Sequence, residues 1–350
     1  MSKNIFLLSA GEYGDMYGAA LLDSLRDISG DIKAKVISLV KRPGYEAATL
    51  ENLKEGAGDG DGEGRIHCLV VMDDQSLNRS FLKKARDTGA AIIYYGGGGA
   101  LKGNALKKAS SLIDLALAQF PSEADTLGNA GIKADFTGHP LIDIMETSQT
   151  LIEAKEAIGY DRNDLPVTVI PGDADEDLYR LMFEGAAEAA AVSCRKVRLI
   201  VPDSERYSET FINDLIKISP KRIKVLKSMR HEALRASDAA LVGTGPATLE
   251  AAFAGAHILT VKRGSFLSNL FGNKDKFISL PNIILDKPEF PELSEKDVTL
   301  LRITQELCGL VEGSIKEEFD AAYEEVKERL GPPGTIRRAA EAICRVVEGN

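Results

Sequence analysis

The stretch from Ser237 to Val261, SDAALVGTGPATLEAAFAGAHILTV, constrains the fold of this chain more than any other. Ala239–Val242 is an apolar run of strand length, and Gly243-Thr244-Gly245 breaks it. Pro246 has no N–H to lose and a preset φ, so it suits the first position of a helix, with Thr244 or Gly245 as the cap. The helix carries Leu249 and Phe253 and stops at Gly255, a residue type favoured just past a helix end; His257–Val261 is the next apolar strand. A glycine turn that feeds a helix start points backbone N–H groups outward at the positive end of the helix dipole, which suits a phosphate. Glu250, one turn into the helix, is placed to accept hydrogen bonds from a ribose. Many strand–glycine–helix joints bind nothing, so both readings stay open on local pattern alone.

At 350 residues the chain is long enough for two domains, each with its own core. A net charge of −10 leaves no overall basic field for nucleic acid, although a local basic pocket is compatible with it. Cys68, Cys194, Cys308 and Cys344 are far apart and form no CxxC pair. With four histidines in all, the sequence offers no Cys/His metal site, and the cysteines read as reduced thiols of a cytoplasmic protein. No apolar run approaches the roughly 18 residues of a membrane span. The amino terminus passes from Met1-Ser2-Lys3 into a strand with no secretory cleavage pattern.

Ile5–Ser9 reads as the first strand, SAGEYGD as a turn open to a ligand, and a helix as starting near Asp15. Glu12 and Asp15 would repel phosphate, so hydroxyl groups suit this turn better. Lys35–Val40 is the second strand, residues 44–54 look helical, and EGAGDGDGEG (residues 55–64) is an acidic loop without calcium-loop spacing. Ile66–Met72 is a buried strand that ends in Asp73-Asp74. In open parallel sheets ligands collect at the carboxyl ends of strands, so Asp73 is placed either as a general base on a hydroxyl or as a helix cap. A helix through Phe81, Leu82 and Ala85, a strand Ala91–Tyr95, the run Gly96–Gly99 and a strand Leu112–Leu117 follow. His139, in the turn Asp135–Pro140, is equally open to a diphosphate or sugar contact and to a buried structural role.

The second half opens with strand Val167–Ile170, turn Pro171-Gly172-Asp173 and an alanine-rich helix to about residue 191. Strands Arg198–Val201 and Ile223–Leu226 lead to the opening element. Beyond it Lys262-Arg263-Gly264 is open to two readings, a source of cations for a donor phosphate and a solvated basic turn; Ser279-Leu280-Pro281-Asn282 reads as a loop at a strand end, and residues 294–330 are helical. After Gly331-Pro332-Pro333-Gly334 a last helix spans Thr335 to Val347. The expected architecture is α/β: two doubly wound, Rossmann-like halves facing across a cleft.

The blocks SAGEYGDMYGAALLDSLR, PSEADTLGNAGIKADFTGHPLID, VIPG, SDAALVGTGPATLEAAFAGA and FISLPNIILD, in this order, resemble lipid-A-disaccharide synthase, a family of inverting glycosyltransferases of the GT-B fold. The resemblance implies an acceptor domain over residues 1–155 and a nucleotide-sugar domain over 156–332. It also implies a helix over 333–350 that packs back on the first domain or exchanges with a partner in a homodimer. The implied reaction transfers a glucosamine-type sugar, acylated or not, from a UDP-sugar donor to a hydroxyl of a sugar or glycolipid acceptor. It implies inversion, no metal, no cofactor and at most peripheral membrane contact. By this resemblance Gly243, Thr244, Gly245, Thr248, Glu250, Arg263 and Asn282 would hold the donor nucleotide. Gly11, Glu12, Gly14, Asp15, Asn78 and His139 would hold the acceptor, and Asp73 would be the general base.

The departures are specific. AGEYGD is one residue shorter than the family's AGExSGD and lacks its serine; PGSR is replaced by Pro171-Gly172-Asp173-Ala174, losing an arginine; and GGGGALKGN replaces a serine- and tryptophan-bearing loop in a chain without Trp. The family's apolar, membrane-dipping segment has no counterpart; the acidic glycine loop stands near its place. The alternative is therefore a catalytically silent nucleotide-sugar-binding or scaffold protein on the same fold. A sugar-nucleotide epimerase shares the architecture but finds no additional acid and histidine set here.

Overall fold

The structure, a computed structural model, describes residues 3–9, 11–38, 66–72, 79–96, 110–172, 174–202, 207–227, 229–263, 276–313 and 316–349. Asp73 and Asn78, the acidic loop of residues 55–64, most of the glycine run after Tyr95, Asp173 and Gly264 lie outside the described residues. The chain divides into two compact units, one formed by residues 1–144, 268–272 and 330–350 and the other by 145–267 and 273–329.

The first unit is built from β1 (Lys3–Ser9), α1 (Glu12–Ile28), β2 (Ile32–Ser38), β3 (Cys68–Val71), α2 (Arg79–Asp87), β4 (Ala91–Tyr94), β5 (Leu115–Ala118), α3 (Pro121–Asn129), β6 (Ala134–Phe136) and α4 (Leu141–Ile144). Its parallel sheet has the order β2-β1-β3-β4-β5-β6. β1, β3 and β5 are apolar almost throughout because helices cover both faces of a parallel sheet. The order reverses between β1 and β3, and ligand crevices in such sheets form outside the carboxyl ends at that reversal. There Met72 N–H donates to the Leu8 carbonyl at 2.7 Å, which sets the end of this described segment beside the end of β1.

The second unit contains α5 (Leu151–Ala157), β7 (Leu165–Ile170), α6 (Glu176–Val192), β8 (Val197–Pro202), α7 (Glu209–Ile218), β9 (Ile223–Leu226) and α8 (Arg230–Arg235). It continues with β10 (Ala239–Val242), α9 (Ala247–Phe253), β11 (His257–Lys262), α10 (Leu280–Leu285), β12 (Glu292–Ser294) and α11 (Leu300–Glu312). α12 (Lys316–Leu330) ends at the boundary, and α13 (Thr335–Glu348) belongs to the first unit. The second sheet, also all parallel, has the order β12-β11-β10-β7-β8-β9, so its reversal falls between β7 and β10. Both sheets are doubly wound, and the expected pair of Rossmann-like layers is what the chain forms.

Three local readings change. The helix after β1 starts at Glu12 rather than near Asp15, so Gly14 and Asp15 sit in its first turn. Glu12 and Asp15 are acids at the positive end of the dipole, which favours helix there despite two flanking glycines. Ser279-Leu280-Pro281-Asn282 is a helix start rather than a loop: the Ser279 hydroxyl accepts from Asn282 N–H and Pro281 occupies the first turn. The three-residue β6 was not expected and closes the first sheet.

α13 packs on α1 and is fixed by Asp143, whose carboxylate accepts from Gly334 N–H at 2.7 Å, the Thr335 hydroxyl at 3.0 Å and Ile336 N–H at 2.8 Å. Arg338 adds donors to the carbonyls of Thr137, Pro332 and Pro333. Gly138 has φ +88°, and a Cβ there would meet Thr335 Cγ2 at 2.8 Å and the Leu330 carbonyl at 2.9 Å. The Gly138-His139-Pro140 turn is thus the seat of the last helix, and only glycine fits its closest point.

Candidate functional site

In the second unit the reversal of the sheet puts two turns side by side, Pro171-Gly172 after β7 and Gly243–Gly245 after β10. They touch through backbone: a Cβ on Gly243 would lie 1.9 Å from the Pro171 carbonyl oxygen, and one on Gly172 would lie 2.6 Å from the Thr244 carbonyl oxygen. No side chain fits at either position, so main chain forms the floor of the switch point. Gly245 takes φ +95° and Pro246 is already helical, so α9 begins at the turn. The Thr248 hydroxyl donates to the Gly245 carbonyl at 2.8 Å and accepts from Leu280 N–H at 3.2 Å, tying the turn to the start of α10.

Asn282 is buried in that second joint. Its amide donates to the Phe290 carbonyl and to Glu292 Oε1, both at 2.8 Å, and accepts from Phe290 N–H at 2.9 Å. Glu292 also takes the N–H groups of Ile278 and Ser279 and the Ser279 hydroxyl. Ser279-Leu280-Pro281-Asn282 is therefore a knot that holds α10 against α9 and β12. Arg263, exposed at the end of β11, donates to the Val298 carbonyl at 3.3 Å.

Glu250, 1 % exposed, has two partners from α8: the Arg230 guanidinium at 2.6 Å on Oε2 and His231 Nε2 at 3.0 Å from Oε1. Arg230 thus lies against the first turn of α9. It is a cation at the switch point that the sequence reading missed, as it missed His231. No spacing rule links residues 230 and 250; the signal that was present is the Arg230-His231 pair that opens the helix before β10.

In the first unit Gly11 caps α1 through its backbone, and the Ser9 hydroxyl bridges to the Gly11 carbonyl at 3.0 Å. Glu12 and Gly14 lie in the first helical turn with Asp15, whose carboxylate accepts from the Ser38 hydroxyl at 3.0 Å. These four residues stand together at the end of β1. His139 is one step removed: its ring is buried edge-on against Phe120 at 5.2 Å and Tyr17 at 5.9 Å. Its Nδ1 accepts from Leu141 N–H at 3.3 Å, and burial pushes its pKa down to about 3.

That shift has a consequence for stability. Between about pH 3 and 6.5 the unfolded chain takes a proton on His139 while the folded chain does not, so folding weakens as pH falls through that window. His139→Gln removes this contribution. The stability difference between wild type and variant is expected to shrink by about 1.4 kcal/mol per pH unit below pH 6.5 and to be flat above it. Denaturant unfolding of both proteins at pH 5 and 7.5 checks this; a difference that does not change with pH refutes it.

Among the described residues no group of three or more His, Cys, Asp or Glu side chains is placed to hold a metal, and no helix is long and apolar enough to cross a membrane.

The family model for lipid-A-disaccharide synthetase matches residues 62–345, so the Ser9–Asp15 turn lies ahead of the matched part. A lipid-A-disaccharide synthase of Syntrophus aciditrophicus is 26 % identical over 289 residues, covering 80 % of this chain and 76 % of that one. Its counterpart in Myxococcus xanthus is 25 % identical over 338 residues, 94 % of this chain and 86 % of that one. In fold, the chain is similar to S. aureus MnaA solved with UDP (TM-score 0.67, 13 % identity, 99 % of this chain and 97 % of that one). It is also similar to the UDP-GlcNAc 2-epimerase of Neisseria meningitidis bound to UDP-GlcNAc (TM-score 0.65, 14 % identity, 99 % and 100 %). With four-fifths of its length under one family model and relatives matching along most of the remainder, the chain belongs to the lipid-A-disaccharide synthetase family.

Proposed function

We propose that this protein is a UDP-sugar-dependent glycosyltransferase that moves a glucosamine-type sugar onto a sugar hydroxyl with inversion. The observation that carries this reading is the switch point of the second sheet. There the Gly243–Gly245 turn, packed against Pro171-Gly172 so closely that no side chain fits at Gly243, opens α9, and buried Glu250 stands one turn beyond it. Backbone N–H groups at such a joint suit the donor diphosphate, and Glu250 suits the ribose hydroxyls. Thr248 and Asn282 act by holding the turn and α10 in place, and Arg263 supplies a nearby cation. Family membership and a fold that holds UDP-GlcNAc in the Neisseria epimerase support the donor class.

In the proposed reaction the acceptor hydroxyl, held near Gly11, Glu12, Gly14, Asp15 and Asn78, attacks the anomeric carbon opposite the diphosphate. The new C–O bond forms as the bond to the phosphate oxygen breaks, UDP leaves, and the hydroxyl proton passes to Asp73. Charge develops on the departing diphosphate, where the N–H groups of the Gly243–Gly245 turn and Arg230 stabilise it. In this reading Arg230 offsets the arginine lost where the chain reads Asp173-Ala174. His139 packs beneath α1 and, in this reading, supports the acceptor turn through Tyr17.

The test is thermal unfolding with UDP, UDP-GlcNAc and UDP-glucose. A ligand at 100 times its Kd adds about 2.7 kcal/mol, which raises the melting point of a unit this size by roughly 5 to 10 °C. No shift with any of the three at millimolar concentration sinks the reading. Asp173 favours a second reading, a nucleotide-sugar binder without turnover; it gives the same shift with UDP but no release of UDP from UDP-GlcNAc in the presence of any sugar acceptor.

A further inference from the structure

In an all-parallel sheet every strand starts at the same edge, so the amino ends of β7, β8 and β9 lie together, opposite the Gly243–Gly245 turn. β7 has six residues, which separates the two edges by roughly 20 Å. At this amino-terminal edge lies a cavity of about 390 Å³ lined by Lys196, Arg198, Lys221, Arg222 and Lys224. Two carboxylates, Asp161 and Asp164, also line it, a local excess of three positive charges on a chain of net charge −10.

The cations are not a loose solvated fringe. Lys196 reaches Asp164 at 2.7 Å and Asp161 at 3.1 Å. Arg198 donates to Asp164 at 3.4 Å and to the Lys221 carbonyl at 3.4 Å. Lys224 donates to the Ile158 carbonyl and lies over the Tyr160 ring, 5.1 Å from its centre. Both carboxylates are engaged by Lys196 and Arg198, whereas the side chains of Lys221 and Arg222 form no ion pair among the described residues. Holding three cations in place before a ligand arrives lowers the ordering cost of binding one. A guanidinium fork beside ammonium point charges matches phosphate oxygens.

We propose that this basic cavity, at the edge of the second sheet remote from the switch point, is a binding site for a phosphate-bearing anion larger than a single phosphate. A soluble diphosphate and the headgroup of an anionic lipid share that chemistry. Lys221 and Arg222 supply the contacts, and Lys196, Arg198 and Lys224 supply a fixed positive field.

The experiment compares wild type with Lys221→Gln/Arg222→Gln, two partly or fully exposed positions whose change leaves the core intact. Inorganic pyrophosphate is titrated while the melting point is followed, and sedimentation is measured with vesicles of phosphatidylglycerol or of phosphatidylcholine alone. Pyrophosphate protection of wild type, weakened about tenfold or more in the variant, supports a soluble ligand. Sedimentation with phosphatidylglycerol vesicles only, lost in the variant, supports a lipid headgroup. Equal behaviour of the two proteins toward both probes overturns the proposal. Stabilisation by UDP is the control: it is expected to be unchanged in the variant, which separates this site from the one at Gly243–Gly245.

Discussion

Asp73→Ala is expected to lower kcat by about 10²- to 10⁴-fold, the usual contribution of a positioned general base, while stabilisation by UDP stays at its wild-type value. The expectation rests on sequence order: Asp73 directly follows Met72, whose own N–H bonds the Leu8 carbonyl where the first sheet reverses between β1 and β3. The competing role, a cap for a helix that follows, makes a different prediction. Asparagine caps as well as aspartate but takes no proton at neutral pH. Asp73→Asn is therefore as inactive as the alanine variant if the carboxylate is the base, and restores turnover if it is only a cap. Initial rates of UDP release, with melting points measured alongside, decide between them.

The elements that were legible in the sequence are those whose signal is local. Ala239–Val242 is uniformly apolar because both faces of β10 are covered, and Gly243, Gly245 and Pro246 each mark the turn for a distinct steric reason. The same holds for β7, β8 and the long α6. What misled was weighting composition above position. Glycines and acids around Tyr13 suggested a loop, yet acids are favourable in a first helical turn. Ser279 and Pro281 carry the start signals that located α9 at Pro246, and they start α10.

Other features leave no local trace. Alternation of strands and helices implies parallel sheets, but which neighbour each strand takes, and hence where the order reverses, is set by crossovers that no short window records. The pairing of Arg230 with Glu250 is of this kind, as is that of buried Lys155 with Asp238 at 2.6 Å. Each joins residues far apart in sequence that become neighbours only once β10 is laid beside β7.

That dependence makes Glu250 an exacting position: it is 1 % exposed and paired with Arg230. Glu250→Ala is expected to cost about 3 kcal/mol, near the lower end for breaking a buried pair, because the Arg230 side chain keeps 17 % of its surface in water. At roughly 2 to 4 °C per kcal/mol the melting point falls by about 6 to 12 °C. The loss comes mostly from stranding Arg230, so Arg230→Leu in the same chain should recover a large part of it, since a buried ion pair replaced by apolar groups is often neutral. The recovered protein then isolates the binding role. If Glu250 takes the ribose hydroxyls and Arg230 the diphosphate, the double variant is folded but shows no stabilisation by UDP at millimolar concentration. Arg230→Gln alone should lose the gain in affinity from UMP to UDP while uridine still binds as to wild type. If the double variant is folded and binds UDP as tightly as wild type, the pair is architectural and the nucleotide is held elsewhere. If the single variant loses uridine and UDP alike, Arg230 acts through Glu250 and not on phosphate.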